Sequence, residues 1–136
     1  MATTAVRKIA AADAGAGEEY FLPPEKLLQG NPRQTVWMHY TDPTAKFMVG
    51  IWHSERGRWT ILYTEEEFCR MLEGVSVLTD QAGSQVTVRA GDEFVIPAGF
   101  SGTWEVLEPT RKRFVIYEAA TAQPGESAGS DGAILP

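Results

Sequence analysis

Short stretches in which apolar and polar residues alternate dominate the chain and predict an all-β protein. Val86 and Val88, for example, share one face of a predicted strand, and sequences rich in Gly, Pro and Asp separate the stretches. The stretch 67–72 is compatible with a helix or a strand. Many short strands at regular spacing indicate a sandwich or a barrel, and closure into a barrel removes exposed strand edges. The predicted strands are residues 35–40, 46–53, 58–64, 75–79, 85–89, 93–96, 103–107 and 112–118.

One short helix is predicted near the N-terminus. Pro23 and Pro24 precede residues 25–29, and Gly30 follows them; proline suits the first turn of a helix and glycine its end.

We expect a single domain, because 136 residues fit one hydrophobic core. The β-barrel is expected over residues 18–120. Residues 1–17 are rich in Ala, Gly and Thr and are expected to be mobile, or ordered only against a partner. Residues 121–136 contain no aromatic residue and are rich in Gly, Ser and Pro, which predicts a disordered C-terminal tail.

Composition and charge exclude several classes of protein. The formal net charge is −6, so a nucleic-acid partner is not expected. No apolar stretch approaches the length of a membrane span, and Arg7 and Lys8 are not followed by a signal-like apolar region. Cys69 is the only cysteine, which excludes an internal disulfide and a cysteine-based zinc site. We expect a cytoplasmic protein.

Two segments resemble the two halves of a cupin motif. They are Tyr63-Thr64-Glu65-Glu66-Glu67-Phe68-Cys69-Arg70-Met71-Leu72-Glu73-Gly74 and Gly91-Asp92-Glu93-Phe94-Val95-Ile96-Pro97-Ala98-Gly99-Phe100. Residues 101–106 and 111–113 are similar to the cupin branch that contains ureidoglycine aminohydrolase domains and ethanolamine-utilisation cupins. The resemblance covers residues 22–118. It implies a double-stranded β-helix, that is, a jelly-roll-like barrel of two facing antiparallel sheets.

The resemblance also implies which positions of this chain would hold metal ligands. Metal-binding cupins present two His and one Glu from the first motif and a third His from the second. Glu67 corresponds to the Glu, with six residues between it and Gly74. A lone carboxylate holds a divalent ion weakly, so no bound metal or other cofactor is expected. None of the three His is present. The two His positions of the first motif fall on Ile61 and Tyr63, or on Thr60 and Leu62, and the His position of the second motif falls on Gly102. The two histidines of the chain, His39 and His53, precede the motif, and the sequence does not place them near Glu67.

The cupin register predicts a site inside the barrel. Glu67 would point inward and is the candidate catalytic residue, as a proton-transfer or ligand-anchoring carboxylate; alternatively it is held by a hydrogen bond as a structural residue. Tyr63 and Cys69 share its face, and we expect both at the ligand. Trp104 either stacks on a ligand or fills the interior, and Tyr117 reaches the interior from the last strand. Glu65 and Glu66 are expected to cap the strand or to face solvent. Lys112, with Arg111 and Arg113, forms a basic cluster that is either an anion anchor or a solvated strand with one inward residue.

Three functions follow as hypotheses. The first is a small-molecule-binding cupin that has lost most metal-ligand positions and whose ligand is undetermined. The second is a hydrolase for a ureido or amino compound, with Glu67 as general acid or base. The third is a regulatory or partner-binding subunit with a filled barrel. A homodimer is also expected, through an aromatic surface that includes Tyr20, Phe21 and Trp37.

Overall fold

The computed structural model describes residues 4–9 and 15–119 and contains nine strands in this part of the chain. The predicted all-β fold is confirmed. None of the described residues forms a helix long and apolar enough to cross a membrane. The strands are β1 (Glu18–Tyr20), β2 (Leu27–Gln29), β3 (Gln34–Thr41), β4 (Phe47–Ser54), β5 (Gly57–Leu62), β6 (Glu66–Asp80), β7 (Gln85–Arg89), β8 (Glu93–Ile96) and β9 (Ser101–Tyr117).

The strands form two facing layers joined by the long antiparallel pair β6–β9. We call the layer made by β1, β3, β4, β8 and the adjoining halves of β9 and β6 the β4 sheet. The layer made by β2, β5, β7 and the other halves of β9 and β6 is the β5 sheet. Because β9 pairs with β4, β5 and β6, this one strand belongs to both layers.

A bend in the β6–β9 ribbon carries the chain from one layer to the other. The pairing shifts register between Met71 and Ser76, as at a β-bulge, which bends a strand and increases its twist. Gly74 has φ +90°, and a Cβ there would collide with the Pro109 carbonyl oxygen. Glycine is therefore required where the two strands approach each other.

The bend corrects the prediction of separate strands on either side of it. Residues 67–72 and 75–79 belong to one strand, β6, and residues 103–107 and 112–118 to another, β9. Proline is tolerated inside β9 because Pro109 lies at the bulge and is exposed.

The predicted N-terminal α-helix is not present. Residues Pro24–Lys26 form a single 3-10 turn, and Leu27 is already extended (φ −76°, ψ 133°). Leu27 pairs with Trp59 of β5 and packs on the core. Strand pairing and burial therefore outweigh the helix preference of this segment.

The terminal segments are described only in part. Arg7 lies over the Tyr40 ring at 5.4 Å, and the Trp37 indole donates a hydrogen bond to the Gly15 carbonyl. The mobility of residues 1–17 stays a prediction. The predicted tail, 121–136, lies outside the described residues.

Candidate functional site

A buried ion pair occupies the centre of the barrel. Glu67 on β6 and Lys112 on β9 have side chains that are 0% exposed, with 3.0 Å between Glu67 Oε2 and Lys112 Nζ. Lys112 lies opposite Met71 in the ladder, and Glu67 lies opposite Ile116. The long Lys112 side chain therefore crosses the inner face of the sheet diagonally to reach the carboxylate.

Tryptophan rings enclose the ammonium group of Lys112. Its Nζ lies 4.4 Å from the Trp104 ring centroid and 4.9 Å from that of Trp52, which is within cation–π range. The two rings meet edge to face at 5.3 Å, and Trp59 packs on Trp52 at 6.1 Å. The positive charge is therefore held between a carboxylate and two aromatic faces.

The hydrogen bonding of the ion pair is incomplete. Neither Glu67 oxygen nor Lys112 Nζ has a well-aligned hydrogen bond to another described residue, and the buried Tyr63 hydroxyl also lacks one. Burial raises the pKa of the Glu67 carboxyl, whereas Lys112, Tyr63 and Cys69 act in the opposite direction. Polar groups in this state are costly to bury.

Tyr63 and Cys69 stay protonated beside this charge. Burial, and then the negative charge of Glu67, raise the pKa of the Tyr63 hydroxyl and of the Cys69 thiol well above their ordinary values. A thiol that resists ionisation is a poor nucleophile. Cys69 thus contributes a small buried side chain and not a reactive thiolate.

Trp104 also takes part in a second cluster of hydrogen-bonded polar side chains, close to the bend. Its indole N–H donates to Ser76 Oγ at 3.1 Å, and Ser76 Oγ lies 2.7 Å from Thr110 Oγ1, which donates to the Glu108 carbonyl. We call these side chains the Ser76 network. Every donor in it has an acceptor, so it binds the Trp104 ring firmly in place.

Glu65 is buried, contrary to the expected capping or solvent-facing role. Thr64 Oγ1 lies 3.1 Å from Glu65 Oε1 and 3.0 Å from Glu118 Oε2, and both glutamates are buried. Burial, reinforced by the charge of Glu67, raises the pKa of Glu65 to about 7. Glu66 behaves as expected: it is exposed and accepts a hydrogen bond from Ala98 N.

The structure brings four of the five candidate site residues together and separates the fifth. Glu67, Tyr63, Cys69 and Trp104 are all buried in the core. Tyr117 lies on the outer face of β9 and is 51% exposed.

Neither histidine lies beside Glu67. His39 Nδ1 is 3.0 Å from an Arg113 guanidinium nitrogen on the outer face of the β4 sheet. His53 is opposite Arg111 in the ladder. Burial and the neighbouring arginines lower the pKa of both imidazoles.

The residues at the expected ligand positions do not fit a metal ion. Ile61 offers no donor atom, and a Cβ on Gly102 would collide with the Thr79 carbonyl oxygen, so a side chain cannot enter the barrel there without a backbone shift. Within residues 4–9 and 15–119, no three His, Cys, Asp or Glu side chains are grouped so as to hold a metal. The Lys112 ammonium already neutralises Glu67 at 3.0 Å.

Lys112 lies at the centre of the site, but the sequence analysis did not identify it as the ion-pair partner of Glu67. The signal for it is periodicity: Thr110, Lys112, Phe114 and Ile116 alternate with outward residues, so Lys112 lies on an apolar, buried face. The cluster at 111–113 therefore divides, with the lysine inside and the two arginines outside.

An apolar cavity of about 250 Å³ lies between the edge strands β7 and β8. Phe94, one of its walls, packs on Trp104 with 6.4 Å between ring centroids, so the cavity reaches the aromatic layer that covers the ion pair. The lining residues are Leu78, Asp80, Ser84, Val86, Phe94, Val95, Ile96, Pro97 and Phe100.

Two facing antiparallel sheets joined by shared strands are typical of jelly-roll barrels, a class of fold that includes the cupins. The sequence matches the model of the EutQ-like cupin domain over residues 41–114, and the chain belongs to this family. A comparison with curated proteins found no match.

Solved structures agree on the fold. A protein of unknown function from Pseudomonas syringae pv. tomato superimposes with a TM-score of 0.69 at 20% identity, over 76% of this chain and 45% of that one. The putative ethanolamine utilization protein Q of Salmonella typhimurium superimposes with a TM-score of 0.59 at 16% identity, over 78% of this chain and 100% of that one. The Clostridium difficile EutQ protein superimposes with a TM-score of 0.54 at 17% identity, over 63% of this chain and 64% of that one. At these identities the likeness is one of fold. The chain spans less than half of the first relative, and the ureidoglycine aminohydrolase branch is not specifically supported.

Proposed function

We propose that this chain is a metal-independent cupin that binds a small molecule, with Lys112 supplying the positive charge that a metal ion supplies in metal-binding cupins. The observation that carries the proposal is the 3.0 Å contact between Lys112 Nζ and Glu67 Oε2 in a fully buried setting. A buried ion pair seldom improves stability over apolar residues of the same volume. Lys112, Tyr63 and Cys69 all converge on the buried Glu67 carboxylate, and such a cluster of interacting ionisable groups supports a role in recognition.

The ligand enters, in this proposal, through the apolar cavity between β7 and β8. Its apolar part packs on Phe94 and Phe100, and movement of the Phe94 ring gives its polar part access to the ion pair behind Trp104. A site with apolar walls and a few convergent polar groups is typical of small-molecule binding. Tyr63 supplies a further hydroxyl next to Glu67.

A ligand screen by thermal denaturation tests the proposal. Small carboxylates, ureides and amino alcohols are added to protein purified without chelator, and metal is counted per chain in the same sample. A ligand at a hundredfold excess over its Kd adds about 2.7 kcal/mol of stability. We expect a stabilising compound and less than stoichiometric metal.

Two exposed positions on β7 provide a matched control. Val86 lines the cavity, whereas its neighbour Thr87 points to the other face of the strand. Val86→Arg should abolish the stabilisation, and Thr87→Arg should retain it. Stabilisation that survives Val86→Arg, or one metal per chain retained through dialysis, would contradict the proposal.

The second candidate is a regulatory or partner-binding subunit with a filled barrel. It is favoured by the near-complete burial of the interior side chains, which include Trp52, Trp59, Trp104, Tyr63 and Lys112. The absence of any stabilising compound in the screen would favour this candidate. The hydrolase hypothesis stays a prediction, and it requires a substrate to reach a carboxylate that is now 0% exposed.

A further inference from the structure

Lys112 is the only lysine that lies in the interior of the part of the chain that the structure describes. Its side chain is 0% exposed, whereas Lys8 is exposed and Lys26 and Lys46 are half-buried. A lysine amine that has lost its proton is a nucleophile, and burial in an apolar pocket is one way in which proteins activate lysines that form imines with carbonyl compounds. The surroundings of Lys112 are of this kind.

The Glu67 carboxylate is placed to take up and return the protons of this amine. Glu67 Oε2 lies 3.0 Å from Lys112 Nζ, and both side chains are fully buried. A neutral amine and a neutral carboxylic acid cost less to desolvate than two charges. Proton transfer within the pair therefore gives access to the nucleophilic form of the lysine without help from solvent. The Tyr63 hydroxyl, which stays protonated beside Glu67, is a further donor for a carbonyl oxygen.

The tryptophan rings that enclose Nζ suit a protonated imine as well as an ammonium group. The nitrogen lies 4.9 Å from the Trp52 ring centroid and 4.4 Å from that of Trp104. When a lysine ammonium condenses with an aldehyde, the positive charge stays on the same nitrogen. The product therefore keeps its cation–π contacts and its contact with the carboxylate. Exclusion of water from this interior also slows the hydrolysis of an imine.

One layer of side chains separates the ion pair from the apolar cavity between β7 and β8. Ile96 lines that cavity and lies directly opposite Glu67 in the β6–β8 pairing, with both side chains buried. Phe94, a second wall, lies opposite Cys69 and packs on Trp104. Because the cavity walls are mostly apolar, they favour a compound whose chain is uncharged.

We propose that Lys112 binds an aldehyde with a short apolar chain as a protonated imine. This inference rests on the proposed function, because the aldehyde enters through the same cavity. Nζ forms a bond with the carbonyl carbon, and Glu67 carries two protons in succession from Nζ to the carbonyl oxygen. The nitrogen lone pair completes the C=N bond as the C–O bond breaks, and the oxygen leaves as water. One ammonium and one aldehyde thus give one protonated imine and one water, with no net change in charge and no oxidation or reduction.

Reductive trapping of the full chain tests this proposal. The folded protein is incubated with butyraldehyde and sodium cyanoborohydride, which reduces an imine to a stable secondary amine, and peptide mass spectrometry identifies the modified lysines. Burial alone would make Lys112 the slowest of the four lysines of the chain to react. With Glu67 as acid and base, we expect Lys112 to react about tenfold or more faster than the other three.

A second probe and three variants provide matched controls. The compound 4-oxobutanoate carries a carboxylate in place of the terminal methyl group of butyraldehyde, and it should label Lys112 more slowly. Val86→Arg should slow the labelling of Lys112 by butyraldehyde, and Thr87→Arg should leave it unchanged. Glu67→Gln should slow labelling at Lys112 alone, with circular dichroism to confirm that each variant is folded. The comparison among the four lysines of the wild type needs no variant.

The proposal would be overturned if Lys112 reacts no faster than the other lysines, or only after the chain is unfolded in urea. Equal labelling of Lys112 in Val86→Arg and Thr87→Arg would also contradict it. A compound that stabilises the protein in the ligand screen, without trapping at Lys112, would refute the imine and leave the proposed function in place. The absence of both results would contradict both proposals.

Discussion

On one side of the bend in the β6–β9 ribbon, Trp104 and the Ser76 network form a buried polar group in which each donor has an acceptor. On the other side, Glu67, Lys112 and Tyr63 are equally buried, but their contacts with one another and with the rest of the described chain are poorly aligned for hydrogen bonding. The same two strands supply both groups, and the same Trp104 ring contacts both.

We interpret this difference as one between packing and the proposed recognition of a ligand. A fully bonded network contributes to stability and fixes side-chain positions. A buried charged group whose hydrogen bonds are poorly aligned costs free energy in the folded state, and we therefore propose it as the better candidate for contact with a ligand. Substitutions on the two sides of the bend should consequently differ in whether a compensating change can rescue them.

The largest effect is expected on the bonded side, from Trp104→Ala. Removal of a fully buried indole leaves a cavity that costs about 3–5 kcal/mol, and Ser76 also loses its donor. Trp104→Phe should cost less, since most of the volume remains. Urea denaturation measures both. If Trp104→Ala lowers the free energy of unfolding by less than about 1 kcal/mol, the expected cavity is not formed, and the ring borders solvent.

A similar loss is expected from Lys112→Met, but it should be reversible by a second substitution. Removing one partner of a buried ion pair leaves the other charge uncompensated and costs about 3–5 kcal/mol. The double variant Glu67→Leu with Lys112→Met replaces the pair by apolar groups and should recover most of the stability or exceed the wild type. If the double variant is as unstable as Lys112→Met, the pair is required for folding and the proposed role in recognition loses its support.

Ser76→Ala should have a smaller effect, because it removes one hydroxyl and almost no volume. The Trp104 N–H and Thr110 Oγ1 would each lose a partner, and a stranded buried polar group costs about 1–3 kcal/mol. Ser54→Ala is a suitable control, since this buried hydroxyl instead donates to the Glu55 carbonyl. Equal losses in the two variants would show that the Ser76 network has no special contribution.

The last prediction concerns the pH dependence of stability. The pKa of Glu65 in the folded state is raised from its ordinary value near 4.5 to about 7, so the folded chain binds this proton more tightly than the unfolded chain does. Stability is therefore fully present below the ordinary pKa and falls as the pH rises through the interval up to about 7. Glu65→Gln should flatten that fall in the melting temperature. The two histidines contribute equally to both proteins, and an unchanged slope would contradict the assignment.

Much of this arrangement follows from the period of two along the strands. Alternation predicts that Glu67, Cys69 and Trp104 face inward, and they do. The same rule explains Tyr117: residues 110, 112, 114 and 116 are buried, so residue 117 must point outward. Its expected position inside the barrel followed from its place in the last strand and not from its parity.

Other features depend on contacts between distant parts of the chain. Gly74 and Pro109 resemble strand ends locally, yet the ribbon continues through both because they bulge against each other. A lysine ordinarily indicates solvent, and burial of Lys112 is made tolerable by Glu67 on the neighbouring strand together with the Trp52 and Trp104 rings. Alternation along β9 indicates that Lys112 faces inward, but no local pattern indicates which side chain lies beside it.

The shared strand β9 also has a consequence for how the chain folds. It pairs with β4, β5 and β6, and its contacts include Glu66 with Tyr117 and Phe47 with Tyr117. Neither layer is complete until this strand, near the end of the described residues, has been synthesised. Such distant pairings carry a large loop-closure entropy and are typical of slow folding, on a scale of about milliseconds to seconds. Until β9 docks, the strands on either side of it expose unpaired edges, and this is the stage at which the nascent chain is most prone to aggregate.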